Sequence, residues 1–160
     1  MRELAPAEQT IGVISDTHGL LRPQALEAFR GVDLIVHAGD IGRLDILTQL
    51  GRIARVHAVR GNMDSGPWAE RLPSVDVAEA EETRMYVLHD LNRLDLNPAA
   101  AGFRAVITGH THRPHIEERE GVLYLNPGSA GPRRFTLPTT VAKLVVRADA
   151  LEAEIIELET

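Results

Sequence analysis

The chain has 160 residues, of which 44% are hydrophobic and 25% are charged, and this length and balance predict one globular domain over residues 1–160. Its formal net charge of −6 argues against a general nucleic-acid binder, because phosphate backbones need an excess of lysine and arginine. There are no cysteines, which excludes disulfides and cysteine metal ligands. The lack of a signal-peptide pattern and of a ~20-residue apolar run predicts a cytoplasmic protein without a membrane segment.

The first third of the chain alternates short apolar runs with helical patterns. The runs cover residues 11–14, 34–36 and 56–59, and their apolar, β-branched composition indicates strands buried on both faces. Helices are predicted over residues 23–29, where Pro23 occupies the first turn, and over residues 44–50, where Leu44, Leu47 and Leu50 form the apolar stripe before Gly51. Alternating strands and helices predict a parallel sheet.

The later part of the chain changes to hairpin patterns. Strands are predicted over 75–80 and 84–88, over 105–107, over 115–118 and 122–125, and over 141–146 and 153–158. A short helix is predicted over residues 97–103, between the strands at 84–88 and 105–107. Two packed sheets with helices outside them are therefore the simplest arrangement.

Side chains that bind metal ions follow five of the strand-like runs. They are Asp16, His18, Asp40, Asn62, His89, His110 and His112. Each motif alone is a weak signal, but parallel strands deliver their carboxyl-terminal loops to one edge of a sheet, so we expect these side chains to converge. Oxygen and imidazole ligands together suit Mn²⁺, Fe²⁺, Zn²⁺ or Ni²⁺ better than Ca²⁺. Seven ligands exceed the needs of one ion and fit two if a carboxylate bridges them.

These motifs together resemble the calcineurin-like metallophosphoesterase superfamily. The matching segments are Asp16-x-His18, Gly39-Asp40, Gly61-Asn62-x-Asp64, His89 and Gly109-His110-x-His112. The short length and the segment Asn126-Pro127-Gly128-Ser129 are similar to its small bacterial and archaeal phosphodiesterase branch. The resemblance covers residues 11–146 and implies an α/β fold, a four-layer α/β/β/α sandwich of two mixed sheets flanked by helices. It also implies that residues 1–160 form a single metallophosphoesterase domain.

The resemblance assigns the ligands by matching position. It implies that the first metal is bound by Asp16, His18, Asp40 and His112. It implies that the second is bound by Asp40, Asn62, His89 and His110, so that Asp40 bridges the two. Asp40, Asn62 and His89 would then be catalytic through metal binding, with a metal-bridging hydroxide for in-line attack on phosphorus and no covalent nucleophile. Two divalent ions are expected, with manganese the preferred prediction and iron, zinc or nickel the alternatives.

Two further residues of the Asn62 loop bear on the site and on its substrate. Asp64 could accept a hydrogen bond from His18 and tune that ligand, or it could be an ordinary turn aspartate. Met63 departs from the resemblance, because many members have a histidine there that helps to protonate the leaving group. Methionine has no titratable proton, which weakens the case for monoester hydrolysis.

The favoured function is therefore a binuclear phosphodiesterase that acts on a small phosphate ester, which we expect to be nucleotide-like. One alternative is a phosphomonoesterase, and another is a non-catalytic protein-binding scaffold on the same fold, like the retromer subunit that resembles this branch. A regulatory nucleotide-binding domain is disfavoured, because neither a G-x-G-x-x-G nor a Walker pattern occurs. We expect no stable binding to nucleic acid and no membrane association, and the formation of a homo-oligomer stays open.

Overall fold

The computed structural model describes residues 7–160, which contain ten strands in two five-stranded sheets. The strands are β1 (Glu8–Ile14), β2 (Leu34–His37), β3 (Arg55–Ala58), β4 (Val75–Ala80), β5 (Thr83–Leu88), β6 (Ala105–Ile107), β7 (His115–Arg119), β8 (Val122–Asn126), β9 (Thr140–Arg147) and β10 (Ala150–Glu157). The helices are α1 (Pro23–Ala28), α2 (Leu44–Gly51) and α3 (Pro67–Glu70), with a 3₁₀ turn at Leu91–Arg93.

Both sheets are mixed, and each contains three adjacent parallel strands. The first sheet has the order β10-β9-β1-β2-β3, in which β1, β2 and β3 are parallel and β9 and β10 are antiparallel. The second has the order β4-β5-β6-β8-β7, in which β5, β6 and β8 are parallel and β4 and β7 close hairpins. The predicted parallel sheet and both hairpins are therefore confirmed.

Alternation along the buried strands divides the core into layers. Val13 of β1 packs with Val87 of β5 in the cluster between the two sheets, whereas Ile14 packs with Phe29 in the cluster beneath α1 and α2. Gly12 permits this second contact, because a Cβ atom there would lie 2.8 Å from the Phe29 ring. Successive side chains on a strand point to opposite faces, so β1 contributes to two apolar layers at once.

The outer face of the second sheet carries no regular α-helix within residues 7–160. Its cover is the 3₁₀ turn and the segment that follows, where Phe103 packs against Tyr86 with ring centroids 5.1 Å apart and Leu94 packs on the same cluster. The predicted α/β sandwich of two mixed sheets is confirmed, with one outer layer built mainly from turns. None of the helices in this range is long and apolar enough to cross a membrane.

Four details differ from the sequence-based expectations. Residues 97–103 form successive turns rather than a helix, because Gly102 has a φ of +86°, a left-handed conformation that ends a helix and leaves room for only one turn. In α2 the buried residues are Ile46 and Leu50, whereas Leu44 is 53% exposed. Strand β3 is not buried on both faces, because it lies at the edge of its sheet. The short helix α3 was not predicted.

Candidate metal centre

The parallel strands of both sheets end at a common edge, and the loops there carry the candidate ligands. After β1, β2 and β3 come Asp16 and His18, Asp40, and Asn62; after β5 and β6 come His89, and His110 and His112. Backbone hydrogen bonds join neighbouring loops, since Asp16 N donates to Gly39 O at 3.0 Å and Gly109 N donates to His89 O at 2.9 Å. The backbone N–H of His110 donates to Asp16 Oδ2 at 3.1 Å, which connects the two sheets.

Five of the seven candidate ligands have a left-handed backbone conformation. The φ angles are +56° at Asp16, +46° at His18, +57° at Asp40, +74° at His110 and +65° at His112. This region is unfavourable for residues with a side chain. Such strain persists only where the surroundings enforce it, and it is concentrated at functional sites.

Two glycines let the loops approach each other closely. Gly39 has a φ of +101°, and a Cβ atom there would lie 2.7 Å from His89 Nδ1. A Cβ atom at Gly61 would collide with the backbone and carboxylate of Asp40. Any side chain at either position would therefore displace a candidate ligand.

The first group of converging atoms consists of Asp16, His18 and His112. Asp16 Oδ1 lies 3.3 Å from His112 Nε2 and 3.6 Å from His18 Nε2, and the two imidazole nitrogens are 3.4 Å apart. Asp16 Oδ2 is already occupied by the hydroxyl of Ser15 at 2.6 Å. Asp16 Oδ1, in contrast, is buried without a hydrogen-bond partner among residues 7–160.

The second group consists of Asp16, Asp40 and His89. His89 Nδ1 lies 2.7 Å from Ala38 O, a carbonyl that can only accept, so Nδ1 carries the proton in the neutral ring. His89 Nε2 is then a lone pair, 3.2 Å from Asp40 Oδ2 and 4.0 Å from Asp16 Oδ1, and it has no hydrogen-bond partner among the described residues. This is how a metal-binding histidine is held by a backbone carbonyl.

Asp16 and Asp40 each use one carboxylate oxygen for a hydrogen bond within the protein and direct the other towards histidines of both groups. Asp16 belongs to both groups of converging atoms. Asp40 Oδ1 accepts from Met63 N at 2.8 Å, while Asp40 Oδ2 lies 3.7 Å from His18 Nε2 as well as close to His89. Either carboxylate is therefore placed to be shared.

Asn62 and His110 lie at the exposed side of the site. Asn62 Oδ1 is 3.1 Å from His110 Nδ1, and the His110 ring is 5.2 Å from that of His89 between centroids. His110 Nε2 faces Asp90 Oδ2 at 4.0 Å. This pair is more open than the two buried groups, so the site is deep at Asp16 and open at Asn62.

Both carboxylic acids of the site favour their charged form. Burial acts to raise the pKa of Asp16, but close contact with the imidazoles of His112 and His18 outweighs it and holds the pKa far below its usual value. Burial also acts to raise the pKa of Asp40, and contact with His89 outweighs it, so this pKa is lowered as well. The site therefore holds two negative charges at neutral pH.

Two of the histidines favour protonation when no metal is present. Contact with Asp16 raises the pKa of His18. For His89 burial acts to lower the pKa, but Asp40 and Asp16 outweigh it, so the pKa is raised. A concentrated negative potential thus attracts cations to this edge of the sheets.

Asp64 is a loop aspartate, one of the two roles that the sequence leaves open for it. Its carboxylate accepts from the backbone N–H groups of Ile41 at 2.9 Å, Gly42 at 3.0 Å and Gly61 at 2.9 Å. It therefore ties the Asp40 loop to the Asn62 loop. Of the two roles considered for Asp64, the structure shows the loop aspartate, because the side chain points to loop amides rather than to His18.

Three further polar residues hold the site loops. His37 Nδ1 accepts from Gly39 N at 3.1 Å and its Nε2 lies 3.0 Å from the Thr17 hydroxyl. Asn126 donates to Gly109 O at 2.9 Å, and Ser129 donates to Asp16 O at 3.1 Å. His115 is not brought to the site, since it is exposed and paired with its neighbour Glu117.

A cleft of about 530 Å³ opens beside the second group. Asn62 and His89 line it, together with Arg60 and Arg93. These two arginines were not among the predicted site residues. Their only sequence signal is their position, because Arg60 lies two residues before Asn62 and Arg93 four residues after His89.

Known proteins resemble this chain over most of its length. A model of the calcineurin-like phosphoesterase superfamily domain matches residues 10–149. A protein of Methanothermobacter thermautotrophicus, named a probable metallophosphoesterase, is 41% identical over 158 residues, which is 91% of each chain. A phosphodiesterase of Methanocaldococcus jannaschii is 27% identical over 147 residues, covering 81% of this chain and 89% of that protein.

A solved structure provides an independent comparison of the fold. Vacuolar Protein Sorting 29 from Cryptosporidium parvum superimposes with a TM-score of 0.80, covering 95% of this chain and 92% of its own. Its sequence identity to this chain is 20%, so the likeness concerns the fold alone.

Proposed function

The chain belongs to the calcineurin-like phosphoesterase superfamily, and we propose that it is a binuclear metal-dependent phosphodiesterase acting on a small, nucleotide-like phosphate ester. The proposal also treats residues 1–160 as one metallophosphoesterase domain. The observation that carries it is a pair of buried atoms without hydrogen-bond partners, Asp16 Oδ1 and His89 Nε2, which face the same small space. Buried polar atoms without partners are costly, and a cation satisfies both lone pairs at once.

The proposed ligand sets combine the buried groups with the exposed pair. Asp16, His18, Asp40 and His112 would hold one ion, and Asp40, Asn62, His89 and His110 the other. The free Oδ2 of Asp40, near both His18 and His89, supports its role as the bridge. Oxygen with imidazole favours Mn²⁺ first, with Fe²⁺, Zn²⁺ or Ni²⁺ as alternatives.

A pair of divalent ions held by these side chains would supply Lewis acidity, would activate water and would stabilise the charge that develops in a displacement at phosphorus. The protein residues hold this pair and set the local charge. Two dications outweigh the carboxylates of Asp16 and Asp40, so the loaded site attracts an anionic ester despite the net charge of −6 of the chain. Ala38 O fixes the ligand tautomer of His89.

The side chain of Met63 favours diesters over alkyl monoesters as substrates. It is 67% exposed beside Asn62 and offers no proton to a departing alkoxide. A diester with an acidic leaving group needs less protonation, so the missing donor matters less there. The phosphodiesterase relative from Methanocaldococcus jannaschii supports the same assignment.

A protein-binding scaffold is the second candidate, favoured by the fold shared with Vacuolar Protein Sorting 29. It does not require a full set of ligand side chains, nor a histidine such as His89 held in its ligand tautomer. The hydrolase explains both features, so we favour it.

The test is hydrolysis of bis(p-nitrophenyl) phosphate by Mn²⁺-loaded protein and by two matched variants. Asp40→Asn keeps the shape of the side chain but removes its charge, and we expect activity to fall at least about 100-fold. Asp45→Asn removes an exposed carboxylate paired with Arg43 on α2, and we expect activity to be retained. Normal turnover in Asp40→Asn with metal retained would refute the proposal, as would wild-type protein that holds metal but hydrolyses neither diester nor monoester.

A further inference from the structure

We infer that the cleft beside Asn62 and His89 is a subsite for a second anionic group of the substrate, bound by Arg60 and Arg93 while the ester phosphate occupies the metal centre. The inference rests on the proposed function and specifies its substrate class. It assigns to this chain an ester whose portion beyond the scissile phosphate carries a carboxylate or a further phosphate.

The first support is that both guanidinium groups lack a counter-ion. None of the arginine ion pairs within residues 7–160 involves Arg60 or Arg93. Yet both line the same cleft as two candidate metal ligands. Two unpaired guanidinium groups in one concave surface offer bidentate hydrogen bonds to an oxyanion.

The second support is that the backbone of each arginine is fixed. Arg60 is half-buried, and its backbone N–H donates to Pro73 O at 2.8 Å. Arg93 ends the 3₁₀ turn, which Asp90 caps by accepting from Asn92 N at 3.0 Å. Each arginine is thereby held on the same loop as a candidate ligand, so an anion bound here lies at a set place relative to the metal centre.

Two carboxylates share the cleft and shape what it accepts. Asp90 is engaged by its own turn and faces His110, while Asp95 is exposed. Neither carboxylate forms an ion pair with Arg60 or Arg93 in the described part of the chain. Their negative charge opposes a purely anionic ligand and favours one that also carries hydroxyl groups, which can donate to a carboxylate.

The test is calorimetric titration of the Mn²⁺-loaded protein with non-hydrolysable phosphonates. The probes are 3-phosphonopropionate, 4-phosphonobutyrate and 6-phosphonohexanoate, each compared with an alkylphosphonate of the same chain length. At least one carboxylated probe should bind roughly tenfold more tightly than its alkyl counterpart, the gain expected of a charge-assisted contact. The three chain lengths of the probes cover different distances between the metal centre and the cleft.

Arg60→Gln and Arg93→Gln should each reduce this ratio to about threefold or less. Arg52→Gln, which removes an exposed arginine on another face, should leave the ratio at its wild-type value. The inference is overturned if every pair of probes binds equally, or if the ratio survives in either cleft variant.

Failure of the subsite is distinguishable from failure of the proposed function. Protein that hydrolyses bis(p-nitrophenyl) phosphate but shows no carboxylate preference loses the subsite and keeps the function. Protein that shows the preference, and loses it in Arg60→Gln, but hydrolyses no ester keeps the subsite and loses the function.

Discussion

At the scale of single residues, the site combines suitable ligand atoms with an unfavourable backbone. Asp16, His18, Asp40, His110 and His112 all have positive φ, and the left-handed region costs roughly 1–2 kcal/mol for a residue with a Cβ atom. The free energy of unfolding is therefore lower than it would be without this strain, which is the cost of directing these side chains into one space.

Two substitutions of His110 separate the cost of its left-handed backbone from the effect of losing its imidazole. We expect His110→Gly to unfold at a Tm about 2–4 °C above that of His110→Ala, because glycine adopts a φ of +74° without strain. Both variants lose the same imidazole and should lose metal equally. Thermal unfolding of the metal-free proteins measures the difference. The control is the same pair of substitutions at Glu27, within α1, where Glu27→Gly should be less stable than Glu27→Ala because glycine is the worse helix former. A His110→Ala protein as stable as His110→Gly would show that the backbone of His110 is not strained.

Met63 offers a test of how the leaving group obtains its proton. We expect Met63→His to raise kcat/KM for alkyl monoesters relative to diesters by roughly fivefold, well below the 10²–10⁴ of an optimised general acid, because the new imidazole lacks supporting contacts. The gain should diminish above pH ~6.5, where the imidazole loses its proton. Met63→Gln, which is polar but not titratable, is the control. A natural protein that already prefers alkyl monoesters would show that the substrate assignment is wrong.

Residue types were easier to predict than their contacts. Asp, Asn and His after successive strands identify candidate ligands from the sequence, because ligand chemistry depends on side-chain type. The amides bound by Asp64 and the cleft position of Arg60 depend on how two loops fold against each other. No local sequence pattern specifies that arrangement.

At the scale of elements, the loop after β2 is supported by a neutral buried histidine. His37 is fully buried, its Nδ1 accepts from Gly39 N, and its Nε2 contacts Thr17. Protonation of Nδ1 would break the bond with Gly39. Burial accordingly lowers the pKa of His37 to about 4.

This pKa predicts a pH dependence of the free energy of unfolding. The unfolded chain takes up a proton at His37 below pH ~6.5, whereas the folded chain resists until about pH 4. Stability from this residue is therefore complete above pH ~6.5 and is lost as pH falls towards 4, by an amount on the order of 3 kcal/mol. Urea unfolding of metal-free protein, compared with His37→Gln, isolates the effect, because the other titrating groups are common to both.

The two proteins should therefore differ most near pH 7 and converge towards pH 4. Parallel stability curves across this range would show that His37 is not held neutral in the folded protein.

Element boundaries followed the apolar patterns closely, and the failures have physical causes. Strand β6 occupies the predicted residues 105–107, because three fully buried residues leave a clear apolar run. The predicted helix at 97–103 fails because the propensity of its alanines is outweighed by the left-handed Gly102, which ends the helix after one turn. In α2 the exposure of Leu44 reflects which side meets the sheet, which a three-residue spacing alone does not decide.

At the scale of the whole molecule, the site exists only where the two sheets meet. Asp16, Asp40 and Asn62 come from the first sheet, and His89 and His110 from the second. The sequence predicts two packed sheets and parallel strands that end in ligands, and the family resemblance supplies the division of those ligands between two metals. Which carboxylate lies between the two groups depends on side-chain rotation, and both Asp16 and Asp40 are placed to be shared.

The most direct test of the central claim is a crystal structure of the Mn²⁺-loaded protein with anomalous diffraction measured at the manganese absorption edge. We expect two peaks per chain about 3.5–4 Å apart, one contacted by Asp16, His18 and His112, the other by Asn62, His89 and His110. Asp40 should contact both. A single peak at saturating Mn²⁺, or peaks away from these side chains, would contradict the binuclear centre.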